Sequence, residues 1–348
     1  MADSYYQIST TPKLYVSYPL YQYASGALDE YSSDNGIVSE EDMIKLLQID
    51  PSNQVHLQSE SWWEYLRYKI VPSYDNETPV VTSGLWNFDF LMLLGHNFDS
   101  SNHRMGMVFS DGENYQEATH SNIVNAADFN PEYDGWSLYS IDDVPTDEYR
   151  EIIIGVINED TENIDCKIGS VLWGKSFEFP INTSLSTTTK FEYGIKQKST
   201  ISGKTISTAN WTKPNNWITE PFGLGNQEGD NYQRRSGRRV WKMQFDSLAP
   251  DKVMNQNMMM NSNGFTAQDN HSTAADSVES LYNINDATDF YTNVVHRSMS
   301  SHLPMVLQID KNDNSPSNFA IVRMNKDYTI KQKSPNLYSI SVTLTEQI

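Results

Sequence analysis

Trp86-Asn-Phe-Asp-Phe-Leu-Met-Leu-Leu-Gly-His-Asn-Phe98 is the most apolar stretch of a polar chain. In an extended backbone Phe88, Phe90, Met92 and Leu94 share one face, and Leu91 and Leu93 share the other. From Phe90 onward both faces are therefore apolar. A run of this length, closed by Gly95-His-Asn, predicts a central strand that stops at a tight turn. The first half of the chain is expected to be built over it.

Working outward, the same reading gives a series of short strands. Trp62–Ile70, Arg104–Phe109, Tyr149–Ile157, Lys167–Trp173 and Lys175–Phe179 have strand composition with turn residues between them. Glu113–Pro131 is looser and polar, and could hold a short helix. Past Pro180 to Ser186, the expected linker, strands are predicted at Thr187–Lys198 and Ile201–Ala209. Others follow at Arg238–Phe245, Met305–Ile309, Asn318–Met324 and Leu337–Leu344. In Arg238–Phe245 the residues Trp241, Met243 and Phe245 alternate against Val240, Lys242 and Gln244. Tyr338, Ile340, Val342 and Leu344 alternate in the last strand.

Helices are few. Ser39 is an N-cap ahead of an acidic first turn in Glu40–Leu47. Ala249–Met260 and parts of Asp276–Met299 have helical spacing, with Phe290, Val294 and Val295 as core candidates. Residues 1–36 carry seven tyrosines among Ser, Thr and Pro without a period. Such a segment is expected to lie as an arm along a neighbouring molecule. The expected organisation is mainly β: an arm with a short helix (1–60), an acidic antiparallel β-sandwich (61–180), and a second sandwich-type β-domain with a helical insertion (187–348).

The net charge of −20 is unevenly placed. Residues 1–180 hold 30 acidic against 8 basic side chains, a net −22, whereas residues 181–348 hold 15 against 17, a net +2. The acidic half disfavours a nucleic-acid surface and suits solvent or a cationic partner. Cys166 is the single cysteine, which precludes an intrachain disulfide and points to synthesis in a reducing compartment. The first thirty residues lack the apolar core of a signal peptide, and no run approaches the roughly 18–20 apolar residues of a membrane span.

Motifs for chemistry are sparse. His96, His103 and His120 match no zinc spacing. Asp310-Lys-Asn-Asp-Asn-Ser315 imitates a calcium loop but has Ser315 where Gly is needed and Ile321 where Glu is needed; a polar hairpin turn accounts for it. No phosphate loop, nucleophile elbow or cysteine pair occurs, so neither catalytic residue, metal nor cofactor is expected. The sharpest local feature is Arg234, Arg235, Arg238 and Arg239, four of nine arginines within six residues. They are candidates for docking the acidic half of a neighbouring subunit or, alternatively, for local ion pairs. Trp136, Trp211 and Trp217 lie in polar surroundings and are candidates for stacking on glycan.

Phe90–Phe98, then Arg150-Glu-Ile-Ile-Ile-Gly155 and Ile168-Gly-Ser-Val-Leu-Trp-Gly174, resemble a sandwich domain of tail proteins from tailed bacteriophages. Phe191-Glu-Tyr-Gly194, Arg239–Leu248, Leu303-Pro-Met-Val306 and Asn336–Glu346 look similar to distal-tail and minor-tail β-domains. The resemblance implies a non-enzymatic virion protein at the tail tip or baseplate. Its implied partners are copies of itself in a ring and other tail proteins. Alternatives are a carbohydrate-binding module that contacts host surface glycan and a capsid decoration protein.

Overall fold

In the computed structural model, the structure describes residues 11–26, 28–33, 38–50, 53–60, 63–70, 73–75, 78–80, 89–98, 103–110, 115–117, 119–124, 135–143, 151–158, 163–179, 188–192, 195–208, 238–254, 289–314 and 318–347. It is mainly β. In chain order the strands are β1 (Lys13–Tyr15), β2 (Leu28–Ser33), β3 (Val55–Ser59), β4 (Trp63–Ile70), β5 (Ser73–Asp75), β6 (Thr78–Val80), β7 (Phe90–His96), β8 (His103–Ser110), β9 (Tyr115–Glu117) and β10 (Thr119–Val124). They continue with β11 (Gly135–Asp143), β12 (Glu151–Asn158), β13 (Ile164–Ile168), β14 (Ser170–Gly174), β15 (Ser176–Glu178), β16 (Thr188–Glu192), β17 (Lys196–Ser199), β18 (Thr205–Thr208) and β19 (Arg238–Leu248). The last are β20 (Met305–Gln308), β21 (Phe319–Met324), β22 (Thr329–Ser334) and β23 (Leu337–Glu346). The helices are α1 (Tyr18–Ser25), α2 (Glu40–Leu47) and α3 (Pro250–Val253), followed by a π-helical segment, Tyr291–His296.

The first unit is a sandwich. One sheet runs β2-β4-β12-β8-β9 and the other β10-β11-β7-β14, all antiparallel. Between them lie Leu91 and Leu93 of β7, Ile152, Ile154 and Val156 of β12, Leu66 and Tyr68 of β4, and Trp173 of β14. Met43, Leu46 and Leu47 of α2 close one side. Ser39 caps α2 as expected: its Oγ accepts the Asp42 amide at 3.2 Å and donates to the Asp42 carboxylate at 2.7 Å. The polar stretch expected to hold a helix is instead strand where described, as β9 and β10; their pairing to β8 and β11 satisfies backbone groups that a helix would have to bond internally.

β7 is buried along its whole length. Its second face, Phe90, Met92 and Leu94, packs against Tyr15, Val306, Phe319 and Ile321 of the second unit. The apolarity of both faces thus has two recipients, one on each side. One residue before the end of β7 stands Gly95, whose φ of 63° is cheap only for glycine. Opposite it the register jumps from Gly135↔His96 to Trp136↔Leu94, leaving Gly95 as the extra residue of a bulge.

The second unit is one sheet ordered β15-β1-β20-β21-β23-β19-β16, with β22 on the β21 edge of β23. It curls until its ends face each other: the Phe179 ring, one residue past β15, stacks on Phe245 of β19 with centroids 3.8 Å apart. The inside holds Trp241, Met243, Phe245, Met305, Leu307, Val322, Ile340, Val342 and Leu344, closed by Phe290, Val294 and Val295 of the π-helical region. The alternations expected in β19 and β23 are therefore the inward and outward faces of this sheet.

Two expectations about organisation change. The described part of the tyrosine-rich segment is built into the chain's own sheets, as β1 and β2. β1 is paired on both sides, Leu14 opposite Phe177 of β15 and Leu307 of β20. Leu14, Tyr15 and Val16 are buried because they supply an apolar strand that the curled sheet lacks. Pairing also crosses the limits drawn at residues 61 and 180. β3 pairs with β13 in a two-stranded sheet whose Val55, Leu57, Ile164, Cys166 and Ile168 pack into the sandwich core, and β15 joins the second sheet. Asp89 ties the junction, accepting the Ser176 amide and hydroxyl at 2.7 Å each.

Candidate functional site

The arginine cluster divides. Arg234 and Arg235 lie outside the described residues. Arg238 is half-buried at the start of β19, opposite Glu192 of β16. Arg239 turns inward and is 5% exposed. Its backbone N–H and Nε donate to Glu346 at 2.8 and 3.0 Å, Nη2 donates to the same carboxylate at 2.8 Å and to the Phe319 carbonyl at 3.0 Å, and its guanidinium carbon is 4.9 Å from the Trp241 ring centre. The docking role expected of Arg239 is thereby corrected. Its fork is consumed by a carboxylate of its own chain, because β19 alternation places residue 239 on the inward face with Trp241.

The other expected positions carry less. The backbone of Trp136 lies in β11, while its side chain and the whole of Trp211 and Trp217 fall outside the described residues. His96 is fully buried: its Nδ1 accepts the Phe98 amide at 3.2 Å, Nε2 lies 2.8 Å from Ser137 Oγ, and the ring stacks on Phe98. Both nitrogens are engaged within the chain. His103 and His120 have described backbones only. In the Asp310 turn, Asn318 Nδ2 donates to the carbonyls of Asp310 and Asp313, and Gln308 donates to the Asp313 carbonyl and Asn314. Among the described residues no group of three or more His, Cys, Asp and Glu side chains could hold a metal ion.

A buried polar cluster lies where α1 meets the π-helical segment. The Arg297 guanidinium, 2% exposed, sits 3.9 Å from the Tyr18 ring centre and donates to the Tyr18 hydroxyl and to Asn293 Oδ1. Tyr21 Oη is 2.8 Å from His296 Nε2. Burial and then the neighbouring Arg297 charge lower the His296 pKa, which keeps the imidazole neutral. Asp289 caps the segment by accepting the Thr292 amide at 2.8 Å. These contacts fasten the N-terminal helix to the C-terminal half. The carboxylate and the cation are each committed to holding backbone or ring, so the cluster is a structural joint in its described geometry. Nothing in the sequence pairs Tyr18 with Arg297, 279 positions apart.

The exposed feature of the second unit is its β16 edge. Every residue of β16, β17 and β18 is exposed. Strands β17 and β18 form a hairpin of their own, Lys196↔Thr208 through Ser199↔Thr205, with its turn closed by Thr200 and Gly203. Phe191, Ile195, Ile201 and Ile206 stand in solvent along it, with Ile201 fully exposed. Lys190, Lys196, Lys198 and Lys204 lie on the same segment with Glu192 as the single acid. A two-stranded ribbon that buries nothing is marginal in water. Large apolar side chains next to lysines mark a surface that gains by being covered.

No known protein family matches the chain, and no curated protein matches it in sequence. Among solved structures, CBM32-1 from a family 31 glycoside hydrolase of Clostridium perfringens is similar at 12% identity, covering 43% of this chain and 96% of that one, with a TM-score of 0.26. At that level of superposition the likeness carries no argument. No helix among the described residues is long and apolar enough to cross a membrane.

Proposed function

We propose that this chain is a non-enzymatic structural protein of a tailed-bacteriophage virion, made in the host cytoplasm and assembled at the tail tip or baseplate. In this reading the chain joins copies of itself in a ring and docks other tail proteins. The observation that carries it is the exposure of strand β16 and the β17–β18 hairpin, which leave Phe191, Ile195, Ile201 and Ile206 uncovered. The sequence resemblance to tail β-domains supports the same reading. So does the stitched architecture, in which Tyr15 of β1 packs on Phe90 and Arg297 bonds Tyr18, tying the two units together. The described polar clusters each serve the fold. The test is the mass of the purified full chain by light scattering, with negative-stain imaging. A discrete multimer and a ring are expected at micromolar concentration. A monomer at every concentration and salt, with no ring on the grid, overturns the proposal.

A further inference from the structure

The hairpin carries a sequence that the chain uses twice. Ile195-Lys-Gln-Lys-Ser199 and Ile330-Lys-Gln-Lys-Ser334 are identical; the first runs through β17, with Ile195 just before it, and the second lies within β22. Each is the first strand of an antiparallel hairpin, and each lysine pair is exposed. In β17, alternation puts Lys196 and Lys198 on one face beside Ile206. In β22, Ile330 leans on the core while Lys331 and Lys333 take the outward face, Lys333 reaching Asp246 at 2.6 Å. The two hairpins belong to different sheets: β22 pairs β23 of the second unit near the Leu248 end of β19, whereas β17 pairs β18 in a two-stranded sheet of its own.

Lysines on two separate sheets match an acidic region of a partner better than a single small anion, and the same sequence supplies such a region: residues 1–180, with a net charge of −22. The geometry points to the two Ile-Lys-Gln-Lys-Ser strands as the cationic half of a self-association interface, whose occupant is the acidic sandwich of a second copy of this chain. The inference rests on the assembly reading above and identifies the surfaces that carry it. Apolar cover from Ile195, Ile201 and Ile206 would add to affinity, while the lysines set orientation and the rate of encounter.

The experiment uses the full chain and the charge reversals Lys196→Glu with Lys198→Glu, and Lys331→Glu. All three positions are exposed strand sites, and circular dichroism confirms that the variants fold. Light scattering is recorded between about 0.05 and 0.5 M NaCl, a range over which the screening length falls from well over 10 Å to a few ångströms. The wild-type dissociation constant is expected to rise at least about tenfold with salt, and the double reversal to raise it at least about tenfold at low salt. Carbodiimide coupling of mixed ¹⁵N-labelled and unlabelled chains is expected to join Lys196, Lys198 or Lys331 of one copy to Asp or Glu within residues 1–180 of another. Multimers that ignore both salt and reversal, or cross-links confined to residues 181–348, overturn this inference and leave the assembly reading standing. Binding of the lysine strands to soluble polyglutamate with no self-association overturns it in favour of a different anionic partner. A chain that is monomeric throughout and binds no polyglutamate overturns both.

Discussion

Replacing Glu346 by Ala tests whether the inward-turned arginine is held by its own chain. Glu346 is 4% exposed and accepts three hydrogen bonds from Arg239, one from the backbone and two from the guanidinium. Removing it takes away a carboxylate that accepts three bonds from a buried arginine, whose guanidinium also donates to the Phe319 carbonyl and lies against the Trp241 face. Loss of one partner of a buried ion pair costs about 3–5 kcal/mol, most of it the burden of the uncompensated charge. For a unit of this size that corresponds to a fall in melting temperature of about 10 °C. The paired replacement Arg239→Met with Glu346→Leu removes both charges and keeps the volume, so it is expected to recover at least half of the loss. Urea unfolding monitored by tryptophan fluorescence reads both variants. A loss under about 1 kcal/mol for Glu346→Ala, or a double variant no better than the single, would mean that water reaches the guanidinium and would refute the reasoning.

Four further outcomes follow from described geometry. Burial, followed by Asp165 and Glu64, pushes the Cys166 thiol up to about 12, so the native chain should resist thiol reagents at pH 8 and react only on unfolding; fast labelling of the folded chain contradicts this. A Cβ at Gly174 would stand 2.3 Å from the Val16 carbonyl oxygen and 2.7 Å from Tyr18 Cδ1. Gly174→Ala should therefore destabilise by about 1–3 kcal/mol in urea unfolding, and a neutral result would show that β1 can shift freely. Leu93→Ala opens the sandwich core and should cost about 2–5 kcal/mol, measured the same way, whereas a surface strand would show almost none. His296 has a folded-state pKa below its unfolded value, so protonation favours the unfolded chain. Its effect is absent at neutral pH and sets in as pH falls below about 6.5. The urea midpoint should drop less between pH 7 and 5.5 in His296→Gln than in wild type, and equal drops would remove His296 from the account.

The arginine cluster shows how far residue type alone can mislead. Four arginines in six positions read as one patch, yet strand alternation separates neighbours onto opposite faces. Arg239 goes to the core with Trp241, while Arg238 stays at the edge. The signal for this was present in the alternation of Arg239, Trp241, Met243 and Phe245. Its meaning depended on Glu346 being opposite, which is a contact across 107 positions. Likewise the seven scattered tyrosines look like an arm because no local period marks them. Three of them, Tyr15, Tyr18 and Tyr21, turn out to serve a strand and a helix held by distant partners.

What the sequence determined by itself was local: β7 with two apolar faces, the amphipathic β19 and β23, the Ser39 cap, and the unequal charge of the two halves. These follow from side-chain period and from short-range hydrogen bonding, which act within a few residues. Tertiary structure alone decided which sheet β1 and β15 would join, that the second sheet would curl until Phe179 met Phe245, and that one pentapeptide would serve both β22 of that sheet and the separate β17–β18 hairpin. Those outcomes depend on pairing between strands remote in the chain, where backbone donors and acceptors are the same for every residue. Register is then chosen only by the packing of the whole.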